Sequence, residues 1–221
     1  MGERRLLVYY ITDRSQFSGD ESSRRRALLD KIAEAARAGV DYIQLREKDL
    51  STRDLEQLAR EAVNLIHRGG SENPELRTRF LINSRTDVAL AVAADGVHLR
   101  SDDVSAADVR LVVQRADRST SHFLIGVSCH AVADVQRAAS EGADFAVFAP
   151  VFEKKDAPGT APQGLPALRE ACGVQIPVFA LGGVTVENAA RCIDARAAGI
   201  AGIRLFQENR ISDVIRAIGA F

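Results

Sequence analysis

At 221 residues, nearly half of them apolar, the chain is long enough for one domain with a sizeable core and too apolar to be disordered. A net charge of -1 gives no electrostatic case for nucleic acid or an anionic membrane surface, and with no Trp and 5% aromatic residues a base-stacking platform is not expected. The three cysteines, Cys129, Cys172 and Cys192, form no CxxC pair, which argues against a disulfide framework and against a zinc site. The first residues lack a long apolar run with a small-residue cleavage site, and no stretch is long enough to span a bilayer. A cytoplasmic protein with no membrane or nucleic-acid partner is the expectation.

Strand and helix patterns alternate from end to end. Residues 6–11 read as the first strand, followed by Thr12, Asp13 and a polar loop over 15–23. A helix over 24–38 stops at Gly39. Residues 42–48, Tyr-Ile-Gln-Leu-Arg-Glu-Lys, read as strand two with period-two alternation: Ile43 and Leu45 point one way, Gln44, Arg46 and Lys48 the other. Two cations on one face of an interior strand need an anion against them; the alternative is an edge strand with its charges in water. Ser51 caps the next helix, which carries Leu55, Leu58, Ala62 and Leu65 at helical spacing and ends at 69–71. Strand three covers 80–83, a helix 86–94, and strand four 96–99. Asp102 and Asp103 open a helix that runs to 115. Strand five covers 123–128 and ends at Cys129-His130, with a helix to 141 and strand six over 145–151. Residues 152–164 form the longest irregular loop, before a helix over 165–172. Strand seven, 177–181, closes on Gly182-Gly183; a helix follows over 186–198, then strand eight over 202–205 and a last helix over 212–218.

The joints before Tyr42, Val97, Phe145 and Ile200 each place a Gly where a helix hands over to a strand, a weak internal repeat of a βα unit. Eight such units over residues 1–221 predict a single (β/α)8 barrel of the α/β class. An open doubly wound sheet is the alternative, but the chain has no GxGxxG or P-loop.

In a barrel the chemistry sits at the C-terminal ends of the strands. Thr12, Asp13, Arg46, Lys48, Asn83, Asp102, Asp103, Ser128, His130, Lys154, Lys155, Gly182, Gly183 and Arg204 fall there. The Gly pair entering a helix, next to the end of strand eight, reads as a phosphate site. Arg46, Lys48, Lys154 and Lys155 bring more cations than one phosphate needs, so the ligand is larger or carries two anionic groups. His130 is the best general acid/base candidate and shares a face with Ser128. His98 reads as an interior barrel residue, and His67 and His122 as structural or solvated. Cys129 alternates away from His130, which argues against a Cys-His nucleophile. Asp102 and Asp103 serve either as helix caps or, one of them, as a Mg²⁺ ligand.

The runs 44–48 (Gln-Leu-Arg-Glu-Lys), 95–99 (Asp-Gly-Val-His-Leu), 126–130 (Gly-Val-Ser-Cys-His), 150–152 (Pro-Val-Phe) and 181–184 (Leu-Gly-Gly-Val), in this order, resemble the thiamine phosphate synthase/TenI family over almost the whole chain. The resemblance implies work on a thiazole phosphate in thiamine biosynthesis, in one of two forms. The synthase ionises hydroxymethylpyrimidine diphosphate and lets the thiazole nitrogen capture the cation, with Mg²⁺. The TenI-type tautomerase shifts a proton on a thiazole carboxylate phosphate and needs no cofactor. The chain matches the synthase pattern at Gln44, Arg46, Lys48, Asn83, Asp103 and Ser128. It departs at Ser84, where the synthase carries a metal-binding Asp, and at 152–156, where lysines are present without the expected threonines. Losing a donor aimed at developing charge costs about 3 kcal/mol, roughly a hundredfold in rate. The expectation is therefore a tautomerase with His130 as the proton shuttle. In it Gly182, Gly183, Ile203 and Arg204 hold the phosphate, and Arg46 and Lys48 meet the second anion. The alternative is the synthase, with Asp103 on Mg²⁺ and Lys154 or Lys155 on the diphosphate; a non-catalytic thiazole-phosphate sensor is a further one. A homo-oligomer is compatible with each.

Overall fold

A computed structural model describes residues 6–69, 77–116, 123–153 and 161–219. Eight parallel strands close into a barrel in the order of the sequence: β1 (Leu7–Ile11), β2 (Tyr42–Leu45), β3 (Arg79–Asn83), β4 (Gly96–Leu99), β5 (Leu124–Cys129), β6 (Phe145–Phe148), β7 (Val178–Ala180) and β8 (Gly199–Gly202), with β8 pairing back to β1. The helices are α1 (Glu21–Arg37), α2 (Thr52–Gly69), α3 (Thr86–Ala91), α4 (Ala106–Arg115), α5 (Val132–Ser140), α6 (Gly164–Ala171), α7 (Ala189–Asp194), α8 (Arg204–Gln207) and α9 (Ile211–Gly219). This is the (β/α)8 barrel that the alternating patterns predict. None of the described helices is long and apolar enough to cross a membrane.

The strands alternate, so they feed two cores. Val8, Tyr10, Ile43, Leu45, Ile82 and Val97 face outward and pack with Leu28, Ile32, Leu58 and Ala62 of the helices. Tyr9, Ile11, Leu81, Phe145, Val147, Phe179 and Ala201 face inward and fill the barrel. The inner layer is aromatic. Tyr9, Tyr42, Phe145 and Phe179 meet with ring centroids 5.3–5.7 Å apart, mostly edge to face. They seal the barrel below its C-terminal mouth.

A repeat runs through every second unit. Gly39, Ala93, Gly142 and Arg196 lie in the left-handed region, each three residues before a strand begins. Two residues on, the amides of Asp41, Asp95, Asp144 and Ala198 donate to the preceding odd-numbered strand. The three aspartates also accept from that strand: Val8 N–H donates to Asp41 (2.8 Å), Phe80 N–H to Asp95 (2.8 Å) and Ile125 N–H to Asp144 (2.6 Å). Only two of the four joint glycines are therefore turn residues. Gly199 stands inside β8, where a Cβ would lie 2.4 Å from Leu7 O and 2.5 Å from Phe179 Cε1. Taking Gly199 for a turn residue placed strand eight at 202–205, three residues late.

Other boundaries move for local reasons. β2 ends at Leu45, so Arg46 and Lys48 lie on the loop beyond it. α1 starts at Glu21 rather than 24 because Asp20 caps it, accepting from Ser23 N–H at 2.8 Å. Asp102 and Asp103 neither open nor cap α4; Ser105 does, its Oγ accepting from Asp108 N–H at 3.1 Å. The helix expected over 186–198 shrinks to Ala189–Asp194, since Asn188 Oδ1 takes the Thr185 amide and holds the preceding residues in a turn.

Candidate active site

The C-terminal mouth of the barrel opens into a cavity of about 890 Å³. Gln44, Arg46, Lys48, Asn83, His98, Ser128 and His130 form one side of it; Gly182, Gly183, Ile203 and Arg204 form the other. The residues expected at the mouth are thus brought together, apart from five. Thr12 and Asp13 do not line the cavity. Lys154 and Lys155 lie outside the described residues, as do residues 70–71 of the expected α2 stop and His122. Asp103 does not border the cavity; its neighbour Asp102 does.

Arg46 and Lys48 are held by their backbone. Thr12 Oγ1 accepts from Arg46 N–H at 3.0 Å and donates to Glu47 Oε1 at 2.6 Å. Glu47 also accepts from the backbone N–H and guanidinium of Arg14, and Arg14 pairs with Asp49 and Glu21. Thr12, Arg14 and Glu47 are all buried. Burial pushes the Glu47 carboxyl above its usual range, against the opposing pull of Thr12 and Arg14. This strut turns Glu47 inward and leaves its neighbours Arg46 and Lys48 to the cavity. Neither cation has a carboxylate within ion-pair distance among the described residues. Arg46, followed by desolvation and Arg100, lowers the Lys48 pKa against a weaker opposing pull from Asp13, as expected of crowded cations.

The opposite wall is backbone. Gly182 and Gly183 have φ of +91° and +66°. A Cβ on Gly183 would lie 2.4 Å from Glu153 O, so this turn needs glycine both for its conformation and for the close approach of the loop after β6. Asn188 Nδ2 donates to Gly183 O at 2.9 Å and fixes the turn. α7 and α8 have six and four residues, so their dipoles add little, and an anion here would be met by turn amides and Arg204.

Polar side chains cross the floor in one line. Gln44 Nε2 lies 2.9 Å from Tyr9 Oη, Tyr9 Oη 3.1 Å from His98 Nδ1, and His98 Nε2 2.9 Å from Ser128 Oγ. Burial, then the charge of Arg46, pushes the His98 imidazole down to about 3, so it is neutral. Alternation along β4 puts His98 inside the barrel, and alternation with Ile11 puts Tyr9 on the same inner face, but nothing in the sequence marks the Tyr9 hydroxyl as part of the site.

His130 borders the cavity from the end of β5. Its Nδ1 lies 2.8 Å from Ala149 O; a carbonyl only accepts, so Nδ1 carries a proton. Cys129 points the other way, and burial pushes its thiol up to about 12, so it is no nucleophile.

The metal reading fares less well. Asp103 accepts from Arg100 N–H at 2.7 Å, and Asp102 is engaged by the Arg100 guanidinium. Ser84, with φ +60°, donates its N–H to His98 O and accepts from Asn83 Nδ2. No group of three or more His, Cys, Asp or Glu side chains among the described residues could hold a metal ion. These residues do not assemble a Mg²⁺ site on their own.

The family model for thiamine monophosphate synthase matches residues 8–206. The chain belongs to the thiamine monophosphate synthase family. It is thereby an enzyme of thiamine biosynthesis. It is 42% identical over 197 residues to a putative thiamine-phosphate synthase of Geobacter sulfurreducens, covering 88% of this chain and 83% of that one. It is 37% identical over 202 residues to putative thiamine-phosphate synthase 2 of Aquifex aeolicus, covering 91% and 97%. The thiamine phosphate pyrophosphorylase structure from Pyrococcus furiosus superposes with a TM-score of 0.77 at 26% identity, covering 97% of this chain and 94% of that one. The expected tautomerase finds no counterpart in these names, which favour the coupling reaction.

Proposed function

We propose that the protein is a thiamine phosphate synthase. The observation that carries this reading is a cavity wide enough for two substrates, with an anion subsite on each wall: Arg46 and Lys48 on one side, the Gly183 turn and Arg204 on the other. At about 890 Å³ it lies at the upper end of small-molecule pockets. In this reading the diphosphate of hydroxymethylpyrimidine diphosphate sits against Arg46 and Lys48, and the phosphate of the thiazole against the turn amides and Arg204. The bond between the pyrimidine methylene carbon and the diphosphate oxygen breaks, and the electron pair leaves with the diphosphate. Arg46 and Lys48, already in place, stabilise that developing charge. The thiazole nitrogen then gives its lone pair to the methylene carbon, forming the C–N bond. Gln44 and Ser128 orient the ring between the two subsites.

The tautomerase is the second reading, because Ser84 stands where the synthase pattern has a carboxylate and the imidazole of His130 borders the cavity. A paired assay on the purified protein separates the two. One tube holds hydroxymethylpyrimidine diphosphate, thiazole phosphate and Mg²⁺, read for thiamine phosphate. The other holds the non-aromatic thiazole carboxylate phosphate alone, read for aromatisation. Thiamine phosphate in the first tube is the expected result. Aromatisation in the second alone, abolished in His130→Ala, would replace the synthase with the tautomerase.

A further inference from the structure

We propose that Tyr9 and His98 are positioning residues that aim the hydroxyl hydrogen of Ser128 into the cavity. The inference starts from Gln44, whose Nε2 faces Tyr9 Oη. An amide nitrogen only donates, so Tyr9 Oη accepts there and sends its own hydrogen to the other neighbour, His98 Nδ1. Nδ1 is then the bare nitrogen. A neutral imidazole with a bare Nδ1 carries its proton on Nε2, and that proton goes to Ser128 Oγ. Ser128 has thereby accepted on the side of the barrel, and its own hydrogen is left for the cavity it borders.

Tyr9 and His98 are buried, and the chain crosses the barrel interior from β2 to β1, β4 and β5. Tyr9 is wedged among Tyr42, Phe145 and Phe179, which leave its ring no other place. The burial that keeps His98 neutral also keeps the line free of an extra proton. Reversing the line would require Gln44 to turn its carbonyl oxygen to Tyr9. Every bond would then flip, Ser128 would donate to His98, and the floor would present an acceptor. The two arrangements differ in which imidazole nitrogen holds one proton. As built, the floor selects a ligand with a lone pair at that point, such as a ring nitrogen, over one with an N–H there.

The ligand named in the test rests on the synthase reading; the proton position does not. Long-range ¹H–¹⁵N correlation of the imidazoles in ¹⁵N-labelled, ligand-free protein at pH 7 reads it directly, with His98 assigned by its loss in His98→Gln. The Nε2–H tautomer is expected in the native protein, and a mixture or the Nδ1–H form in Tyr9→Phe, which keeps the ring and removes the hydroxyl. An Nδ1–H or doubly protonated His98 in the native protein, or an unchanged tautomer in Tyr9→Phe, overturns the proposal. Calorimetric titration adds the consequence for binding. Tyr9→Phe is expected to bind hydroxymethylpyrimidine diphosphate about tenfold more weakly, the worth of one buried hydrogen bond. Its affinity for inorganic pyrophosphate, which meets only the cationic wall, is expected to stay unchanged. Equal affinity for the diphosphate ester, or an equal loss for both probes, sinks the positioning role. A native protein that shows the Nε2–H tautomer but binds neither probe contradicts the synthase reading instead.

Discussion

His98 is a titratable group that the fold keeps from titrating. Its ordinary value is 6.5, and burial with the nearby Arg46 charge takes it to about 3. The unfolded chain therefore takes up a proton as pH falls below about 6.5, whereas the folded chain does not until about 3. Within that window the unfolded state binds more protons, so stability is lost on acidification, by about 1.4 kcal/mol per pH unit at full slope. Urea unfolding at pH 7 and pH 5 should show the native protein losing about 2 kcal/mol more than His98→Gln over this interval. Equal losses would mean a hydrated, titrating imidazole. Arg46 supports a second expectation. It is the first cause of the lowered Lys48 pKa, so in Arg46→Met the Lys48 ammonium persists to higher pH. The variant should lose roughly a hundredfold in turnover, the usual cost of a charge-stabilising donor. Its alkaline limb should move upward, and a limb left in place would show that Lys48 does not set it. Sequence reached Arg46, Lys48, Asn83, Ser128 and His130 because each stands at a strand's C-terminal end with chemistry that packing does not explain. It did not reach Tyr9, because an aromatic side chain in a strand looks the same whether it fills a core or carries a hydrogen bond.

At the scale of elements, the loop after β2 and the turn after β7 do opposite work. The first is held by a buried carboxylate. Thr12→Val removes the Glu47 hydrogen bond and the acceptor for Arg46 N–H, and should destabilise the protein by about 2–3 kcal/mol in chemical denaturation. An unchanged midpoint would mean that the strut is replaced by solvent. The second is held by backbone shape. At Gly183 the positive φ and the contact with Glu153 O coincide, so Gly183→Ala must displace the loop after β6 and weaken phosphate-ester binding. Gly39 is the control: its φ is +78°, but an added Cβ meets nothing within 4 Å. Gly39→Ala should cost about 1 kcal/mol of stability and leave binding intact. Equal binding in the two variants would remove the turn from the site. Strand and helix order was legible throughout, because burial on one face sets the period. The ends were less so. Ser105 and Asp103 are both capping residue types a few positions apart, and only the hydrogen bond to Asp108 shows which one stops the chain from extending the helix.

For the whole molecule, closure is the feature that local pattern carries least. Alternating βα units imply a barrel, and the eight described strands close into one, but the seam where β8 meets β1 stands three residues earlier than the pattern predicts. The cause is physical: Gly199 is small for packing, and no periodicity distinguishes that from small for turning. At the seam Gly199 pairs with Leu7 on one side and Phe179 on the other, and Phe179 is part of the aromatic layer beneath the site. A methyl group there has nowhere to go, since Leu7 O belongs to the closing ladder and Phe179 is packed on Tyr9, Tyr42 and Phe145. Gly199→Ala should therefore cost about 1–3 kcal/mol as an overpacked core residue, and Phe179→Ala about 3–5 kcal/mol as a cavity. The two changes share one space, so they should not add. The methyl would enter part of the volume that the ring vacates, and the double variant Gly199→Ala/Phe179→Ala should lose less stability than its two single variants together, by more than about 0.5 kcal/mol. Chemical denaturation of the four proteins measures the cycle. Strict additivity would mean that the seam and the aromatic layer are independent, and that the floor of the site does not depend on barrel closure.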